Sequence, residues 1–311
     1  MKVVSGEEGY SLAINAAIPD WFFEGDAVYN ETVLTKQGRG KLPLFLNAYP
    51  SLWQAGKKYS WMKLRNGSLK DYVPNHYNLG YLLVNYGREK YGDDFWTKVT
   101  RDASAYKGLF YPFQTAIKKY AGVDYKTFRE QAFEFYKKQT ERMAQVRDEY
   151  VLPVKKSYVS NYYFPYSAGA DSLIYLKTSY RHRRAFYIKD AKGEHRLKTR
   201  DIAIDEQFSY RNGKIVYSAY ESDARWGWKD YSVIKLLDVQ TGKQQTLTHK
   251  TKYFTPDISE DGSLVAAVQF DENGKSELHI LNTNGGTVLN KIHSPEINLF
   301  TDPKFLDDKT I

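Results

Sequence analysis

Two acidic residues and a tyrosine near the amino terminus are the residue types best suited to chemistry. Glu24 and Glu31 are seven residues apart in a segment with helical apolar spacing, which places both on one face of a helix. Tyr77 lies near the start of a second such segment. A carboxylate can bind a metal ion, and a phenol hydroxyl can donate a hydrogen bond to an oxyanion. On residue type alone, the simpler interpretation of Glu24 is a helix carboxylate paired with Arg39 or Lys41.

The elements that must position these residues change character near residue 152. From residue 18 to about residue 150 the apolar period is helical, and helices are expected to start at or just after residues 19, 76, 94, 112 and 124. After Leu152 and Pro153 the period becomes two, which is typical of antiparallel strands. The sequence therefore predicts a multidomain chain, α then β, with a helical domain at 1–152 and a strand domain at 153–311.

Composition excludes several classes of protein. The chain has 311 residues and no cysteine, so disulfides, thiolate catalysis and cysteine-bound metals are ruled out. Its formal charge of +8 comes from 45 basic residues interspersed with 37 acidic ones, which argues against a nucleic-acid partner. No apolar run approaches the roughly 18 residues of an integral membrane segment. The first residues contain no apolar stretch typical of a signal peptide.

The strand half repeats. Segments that begin at Asp171, Gly213, Gly262 and Asp308 each follow a turn, and all four are expected to open an apolar strand. Their offsets are 42, 49 and 46 residues, a period that suits the four short strands of a β-propeller blade. A β-sandwich is the alternative. We expect the turn aspartates 171, 261 and 308 to bond the backbone rather than to bind calcium.

The segment Phe254-Thr-Pro-Asp257-Ile-Ser-Glu-Asp261-Gly262-Ser-Leu-Val-Ala, followed by Glu277-Leu-His-Ile-Leu-Asn-Thr-Asn-Gly285-Gly286, resembles the blade signature of TolB-type, WD40-like propellers. The resemblance covers residues 165–311 and implies about three blades. A further copy starts at Thr301, and the chain stops within its strand. We therefore expect an incomplete propeller in a chain that is an internal fragment.

The segment Pro19-Asp-Trp21-Phe-Phe-Glu24-Gly25-Asp-Ala27 resembles the helix of gluzincin metallopeptidases that supplies the third zinc ligand. The resemblance implies that Glu24 is that ligand and that Gly25 and Ala27 let the helix approach its neighbour. The segment Pro74-Asn-His76-Tyr77-Asn-Leu-Gly80 resembles a later helix start of the same group. It implies that Tyr77 is the catalytic hydrogen-bond donor to the oxyanion.

Three further residues are expected to support this site or line the substrate: Glu31, Arg39 and His76. A plainer interpretation of His76 is a helix-start residue, and of the loop around Arg39, a simple turn.

The motif H-E-x-x-H, which supplies the other two zinc ligands and the general base in this group, is missing from the chain. We expect that it lies upstream of Met1, or else that it has been lost. Zinc is thus expected as a cofactor only with the missing ligands, and the chain as written is expected not to bind catalytic zinc tightly.

The leading functional prediction is a fragment of a zinc-dependent peptidase whose propeller binds a polypeptide substrate or partner protein, inactive as written. By family resemblance it would be a bacterial protein of the periplasm, the cell surface or the secreted fraction. The alternative is a non-catalytic protein-binding propeller on a degenerate peptidase scaffold. A carbohydrate-active enzyme is disfavoured because Glu24 and Glu31 would lie about 10 Å apart on one helix face.

Trp226 and Trp228 interrupt a predicted hairpin. Since tryptophans usually bury most of their area, we expect packing against the blade rather than ligand binding.

Overall fold

The computed structural model describes residues 2–108, 110–140, 157–308 and 310–311. The chain divides into two compact units, Met1–Ser157 and Tyr158–Ile311. The predicted boundary near residue 152 lies outside the described residues.

The first unit is helical. Its α-helices are α1 (Lys2–Ala17, kinked at Gly6), α2 (Asp20–Leu34), α3 (Pro43–Leu46), α4 (Ala48–Gln54), α5 (Trp61–Asn66), α6 (His76–Tyr91), α7 (Phe95–Ser104), α8 (Pro112–Ala121) and α9 (Tyr125–Thr140). A short 3-10 helix, Arg39–Lys41, follows α2. None of the helices in the described part of the chain combines the length and hydropathy that a bilayer crossing needs.

Local signals explain most of these helix boundaries. The side chain of Asn75 accepts a hydrogen bond from the Asn78 amide and caps α6, which ends at Gly92 with a positive φ of 92°. Asp124 caps α9 by accepting from the Thr127 amide at 2.8 Å. Asp93 or Asp94 was expected to cap α7; Asp94 is at the N-cap position, but its side chain makes no capping bond and pairs with Lys98 instead.

An aromatic cluster forms the core of the helical unit. Trp21 and Phe22 of α2 pack against Trp96 of α7 and Phe113 of α8, with ring centroids 5.0 to 6.1 Å apart. The buried indole N–H of Trp96 donates to the carbonyl of Val84 at 2.8 Å, so its polar atom is satisfied. Trp21, from the segment Pro19-Asp-Trp21, is therefore a core residue.

The second unit consists of three four-stranded antiparallel sheets, each a simple meander. They are β1–β4 (Ser160–Gly169, Ser172–Ser179, Ala185–Asp190, Gly193–Thr199), β5–β8 (Ser209–Arg211, Lys214–Ser222, Asp230–Asp238, Gln244–Thr246) and β9–β12 (Tyr253–Ile258, Leu264–Phe270, Ser276–Asn282, Val288–Ile292). Within each sheet the spatial order follows the chain order. This is the strand order of successive propeller blades and not the Greek-key order of a sandwich. We call them blades 1, 2 and 3.

Hydrogen bonds at the predicted repeat offset join neighbouring blades. The Asn212 side chain donates to the carbonyl of Asp261 at 2.7 Å, and Lys214 donates to the carbonyl of Gly262 at 2.8 Å. The Asp261 amide in turn donates to the carboxylate of Asp308 at 3.0 Å. The aligned turns near residues 213, 262 and 308 thus meet in space.

Buried side chains complete the joints between blades. One cluster joins blades 1 and 2 through Phe186, Phe208 and Tyr217, and another joins blades 2 and 3 through Val216, Ile234 and Ile258.

The predicted fourth repeat forms no strand in the described residues. Residues 301–308, 310 and 311 carry neither helix nor strand, although Asp308 was expected to open one. The Phe305 amide donates instead to the buried carboxylate of Asp257 in blade 3 at 2.9 Å.

Candidate functional site

The two helices that carry the predicted chemistry touch backbone to backbone. A Cβ atom placed on Gly25 of α2 would lie 2.1 Å from the carbonyl carbon of Gly80 in α6. A Cβ atom on Gly80 would lie 2.0 Å from the carbonyl oxygen of Trp21. Only glycine fits at both positions. Gly25 therefore allows the close approach expected of it, whereas Ala27 lies on the exposed side of α2.

Glu24 lies immediately before this contact and is half-buried. Within the part of the chain that the structure describes, its carboxylate makes no hydrogen bond or ion pair. The simpler pairing with Arg39 or Lys41 does not occur, because Arg39 binds another carboxylate and Lys41 donates to the carbonyl of Thr35 at 2.6 Å.

Arg39 binds Glu31 rather than Glu24. Its amide and its Nε each donate to the Glu31 carboxylate at 2.8 Å, and its Nη2 lies 2.8 Å from the same group. The pKa of Glu31 is lowered, first by the Arg39 amide and then by the guanidinium. Glu31 therefore stays ionised and holds the loop after α2 against the helix.

Two glycines let that loop fold back. A Cβ atom on Gly38 would lie 2.3 Å from Cα of Thr32, and one on Gly40 would lie 2.5 Å from the hydroxyl of Tyr81. The Gly40 amide donates to the Thr32 hydroxyl at 2.9 Å. The loop is a turn packed on α2.

Tyr77 and His76 join the same group of side chains. The guanidinium carbon of Arg39 lies 5.0 Å from the centre of the Tyr77 ring, a cation-π contact. The rings of His76 and Tyr77 lie 4.4 Å apart. The Tyr77 hydroxyl makes no hydrogen bond to the described residues. The structure thus brings together Glu31, Arg39, His76 and Tyr77, and no hydrogen bond or ion pair joins Glu24 to them.

The donor set does not make a catalytic zinc centre. Such a centre needs three protein ligands and an open position. No group of three or more His, Cys, Asp or Glu side chains suited to a metal occurs in the described ranges. The Glu24 carboxylate could serve as one metal ligand, but a single ligand does not make a catalytic site.

A pocket of about 190 Å³ opens beside the aromatic core of the helical unit. Aromatic rings form much of its lining, which includes Trp21, Trp61, Tyr111, Phe113 and Tyr125. Sequence reasoning missed it because these rings come from separate elements. Its size and lining suit an apolar side chain.

The turn aspartate Asp261 bonds the backbone of its own turn, as expected of it. The Asp261 carboxylate accepts from the Ser263 amide at 2.8 Å and from the Ser259 and Ser263 hydroxyls at 2.7 Å. Asp308 accepts from the amide of Asp261. The contacts of Asp261 are those of a turn-forming residue, whereas the carboxylate of Asp308 bonds the turn that contains Asp261.

Two surfaces of the blades are exposed and apolar. All five residues of β12 are exposed, and Leu289 is 57% exposed. Trp226 is 59% exposed and Trp228 is fully exposed, so the expectation that they pack against the blade is wrong. The reason is local: Asp223 binds the loop amides and turns the tryptophans outward.

No protein-family model matches the sequence, and no curated protein is significantly similar to it. Among solved structures, the chain is similar to TolB from Acinetobacter baumannii, with 20% identity, a TM-score of 0.32, and coverage of 41% of this chain and 31% of that one. It is also similar to the β-propeller domain of the Trilobed protease from Pyrococcus furiosus, with 17% identity, a TM-score of 0.33, and coverage of 44% and 43%. A third match is Pyrococcus horikoshii acylaminoacyl peptidase, with 13% identity, a TM-score of 0.34, and coverage of 44% and 26%.

The chain spans less than half the length of each of these three structures. Because the TM-scores are low, the blade assignment rests on the strand order and repeat contacts of this chain. The comparisons lend no support to a gluzincin domain, to zinc or to secretion.

Proposed function

We propose that this chain is a polypeptide-binding segment, in which propeller blades bind an extended polypeptide and a peptidase-like helical unit accompanies them without hydrolysing it. The observation that supports the proposal is the edge strand β12. It ends the sheet β9–β12, all of its residues are exposed, and three of the five are hydrophobic: Val288, Leu289 and Ile292.

Such an edge is suited to pairing with another strand. Edge strands present unpaired N–H and C=O groups, and proteins usually guard them with charges, proline or a very short length. In β12, Lys291 and the irregular register at Leu289 give partial protection, while the hydrophobic side chains of the strand stay exposed. An added strand gains main-chain hydrogen bonds from the edge and side-chain contacts from its hydrophobic residues.

The binding test uses reduced, carboxymethylated α-lactalbumin as a labelled extended polypeptide. Fluorescence anisotropy should show saturable binding to the full chain, and Leu289→Lys should weaken it at least about fivefold, since a charge on the edge opposes strand addition. Ile202→Lys, at another exposed hydrophobic position but outside the strands, is the control and should bind as the unchanged chain does. Equal affinity in Leu289→Lys and the unchanged chain would reject β12 as the binding edge.

For the helical unit we propose that Glu24 corresponds to the carboxylate zinc ligand of a gluzincin and Tyr77 to the oxyanion donor. The support is the glycine contact beside Glu24, together with a carboxylate and a phenol hydroxyl that have no partner among the described residues. Glu31, Arg39 and His76 would hold the loop and Tyr77 in place. A competent zinc site would need two histidines and a general base from outside these 311 residues.

Zinc calorimetry tests the helical proposal. The chain should show no tight site, and one equivalent bound in the nanomolar range would contradict it. In a full-length protein that supplies the missing ligands, Glu24→Gln should abolish zinc-dependent peptidase activity, and unchanged turnover would remove Glu24 from the ligand set.

By the resemblance of its blades to TolB-type propellers, we propose that the protein acts outside the bacterial cytoplasm, in the periplasm, on the cell surface or as a secreted protein. Cell fractionation with an antibody to the chain tests this, and recovery in the cytoplasmic fraction alone would contradict it.

A further inference from the structure

The pocket beside the aromatic core of the helical unit has the size of one aromatic ring. Its volume is about 190 Å³. For comparison, a protein cavity of about 150 Å³ lined by apolar side chains holds benzene. Helices α1, α5 and α9 contribute to its lining, together with the first residues of α2 and α8. Because packed helices surround it, the pocket is formed before a ligand arrives, as small-molecule sites usually are.

The rings of the lining are arranged to contact a further ring. Trp21 and Phe113 meet edge to face, with ring centroids 5.7 Å apart and planes at 84°. Trp61 and Tyr125 meet in the same way, at 5.7 Å and 87°. Aromatic rings prefer edge-to-face and offset-stacked contacts with one another. An aromatic ligand would therefore find both ring edges and ring faces here, whereas an aliphatic group would gain only from its burial.

A cationic ligand does not suit these rings. The guanidinium carbon of Arg129 lies 4.1 Å from the centre of the Trp61 ring and 4.6 Å from that of Tyr125, so both rings already contact a cation. Arg65 is itself part of the lining, and none of the described residues that line the pocket is acidic. An ammonium group in the pocket would meet two like charges.

Arg65 and Gln114 are the polar side chains of the lining that a ligand could engage. Both are exposed, and neither makes a hydrogen bond or an ion pair within the part of the chain that the structure describes. Arg65 follows Trp61 by four residues in α5, so the two side chains lie on the same face of that helix. A guanidinium with free N–H groups can bind a carboxylate through two parallel hydrogen bonds.

The charge around the pocket stays positive when the neighbouring carboxylates are counted. Asp20 and Asp124 are adjacent in sequence to lining residues, and the Thr127 amide lowers the pKa of Asp124 and keeps it ionised. Neither aspartate belongs to the lining. Among the described residues, the charged side chains that line the pocket or contact its rings are the cations Arg65 and Arg129.

The hydroxyl of Tyr125 reports the same field. Burial raises its pKa, and the charges of Arg129 and Arg65 act against that rise. The ionisable groups that influence this hydroxyl by charge are thus both cationic, and they would favour an anion at the same place.

We propose that this pocket binds an aromatic carboxylate, whose ring fills the pocket and whose carboxylate pairs with the guanidinium of Arg65. Gln114 supplies a second donor for the same group. The ligand is a free aromatic acid or the aromatic C-terminal residue of a polypeptide, since both present a ring beside a carboxylate. The pocket lies in the helical unit, and the proposal does not depend on the edge strand β12.

Isothermal calorimetry with hydrocinnamate, a phenyl ring joined to a carboxylate by a short chain, tests the proposal. Hydrocinnamate should bind the full chain saturably at one site. Hydrocinnamamide keeps the ring without the charge and should bind about fivefold more weakly, because an ion pair at an exposed arginine contributes modestly. Cyclohexylpropanoate keeps the charge without the aromatic ring and should also lose about fivefold. Phenethylamine, a cation, should show no saturable binding.

Three variants assign the binding to the pocket. Arg65→Ala should weaken hydrocinnamate about fivefold and leave the affinity for hydrocinnamamide unchanged, a split that a loss of structure would not produce. Ala16→Phe places a ring at an exposed position of the lining and should abolish the binding of both compounds. Ala27→Phe, at an exposed position of α2 outside the lining, is the matched control and should bind as the unchanged chain does.

A short peptide that ends in phenylalanine distinguishes the two sources of the ligand. If it binds as tightly as hydrocinnamate and its C-terminal amide binds less tightly, the pocket accepts polypeptide C termini. If hydrocinnamate binds and the peptide does not, the ligand is a free aromatic acid. Both results support the proposal.

Three results would overturn the proposal: no saturable binding of hydrocinnamate, equal affinity for hydrocinnamate and phenethylamine, or unchanged binding by Ala16→Phe. Leu289→Lys, the variant that tests β12, should bind hydrocinnamate as the unchanged chain does. A failure of polypeptide binding at β12 can therefore be told apart from a failure of the pocket.

Discussion

At the scale of single residues, Gly25 sets how closely α2 and α6 pack. Alanine normally stabilises a helix by about 1 kcal/mol relative to glycine. At Gly25 the added methyl would lie 2.1 Å from the backbone of Gly80, so the clash should reverse the sign. We expect Gly25→Ala to lower the free energy of unfolding by about 1–3 kcal/mol, measured by urea titration with tryptophan fluorescence.

Gly227→Ala is the control for that change, because its added methyl meets open space and its φ is not in the left-handed region. It should alter the free energy of unfolding by no more than about 0.5 kcal/mol. A stabilised Gly25→Ala variant, as helix propensity alone predicts, would show that the two helices are not in backbone contact.

Asp102 gives the helical unit a specific pH dependence. Its side chain is 2% exposed and accepts from Lys119 at 2.6 Å, Tyr120 at 2.7 Å and Lys107 at 3.1 Å. These bonds, that of Lys119 first, hold the pKa of Asp102 far below its ordinary value. In the unfolded chain the carboxyl takes up a proton near pH 4, while the folded state resists it to much lower pH. Its stabilisation is therefore complete above about pH 4 and is lost as the pH falls further.

The expected result is a pH-dependent difference between the unchanged chain and Asp102→Asn. Thermal unfolding should show that Asp102→Asn has a lower unfolding midpoint than the unchanged chain at neutral pH. The difference between the two midpoints should narrow as the pH is lowered below about 4. If the difference in unfolding midpoint stays constant across the acid range, the charge of the Asp102 carboxylate contributes nothing to stability.

Some residue-level features could be predicted from sequence and others could not. Gly25 was identified because its segment resembles the gluzincin helix, and that resemblance implies a close approach to a neighbouring helix. The pairing of Arg39 with Glu31 was not predicted, because it depends on the loop folding back on α2 at Gly38 and Gly40. Trp226 and Trp228, at the tip of the β6–β7 hairpin, were predicted to be buried because tryptophan is buried in most proteins. That average takes no account of a loop that turns both side chains outward.

At the scale of secondary-structure elements, a buried ion pair links the blades. The side chain of Arg200, 1% exposed, contacts the carboxylate of Asp205 at 3.3 Å. The same carboxylate accepts from the Ser218 hydroxyl at 2.5 Å and from the Thr255 amide of β9 at 2.8 Å. We expect Asp205→Ala to destabilise the blade unit by about 3–5 kcal/mol, because it leaves Arg200 buried without its partner.

Chemical denaturation followed by circular dichroism measures this effect. Arg211→Ala, which breaks the exposed pair with Glu260, should cost no more than about 1 kcal/mol and serves as the control. Equal losses of unfolding free energy in Asp205→Ala and Arg211→Ala would show that the burial of Arg200 adds nothing to the energetic cost of losing its partner.

Elements with clear boundary signals were predictable. Helix α6 begins after Asn75 and ends at Gly92, and the hairpin turn before β6 has positive φ at both Asn212 and Gly213. Helix α1 was missed because glycines at positions 6 and 9 oppose a helical interpretation. The short helices α3–α5 were missed because fewer than two full turns show no clear period.

At the scale of the whole molecule, the repeat was the most informative part of the sequence. The offset of 49 residues corresponds to blades 2 and 3, which are joined by hydrogen bonds at the aligned turns. The repeat could be recognised in the sequence because a turn depends only on residues that are adjacent in the chain, and each blade needs its turns at the same positions. The edge and tip surfaces could not be predicted, since exposure depends on what the fold leaves uncovered.

The most direct measurement adds a polypeptide labelled with a dye and a quencher, in the presence of zinc, and records anisotropy and cleavage in one sample. We expect anisotropy to rise with the concentration of the full chain, without cleavage and without change when a chelator is added. Zinc-dependent cleavage, or the absence of any rise in anisotropy, would contradict the proposal that the chain binds polypeptide without hydrolysing it.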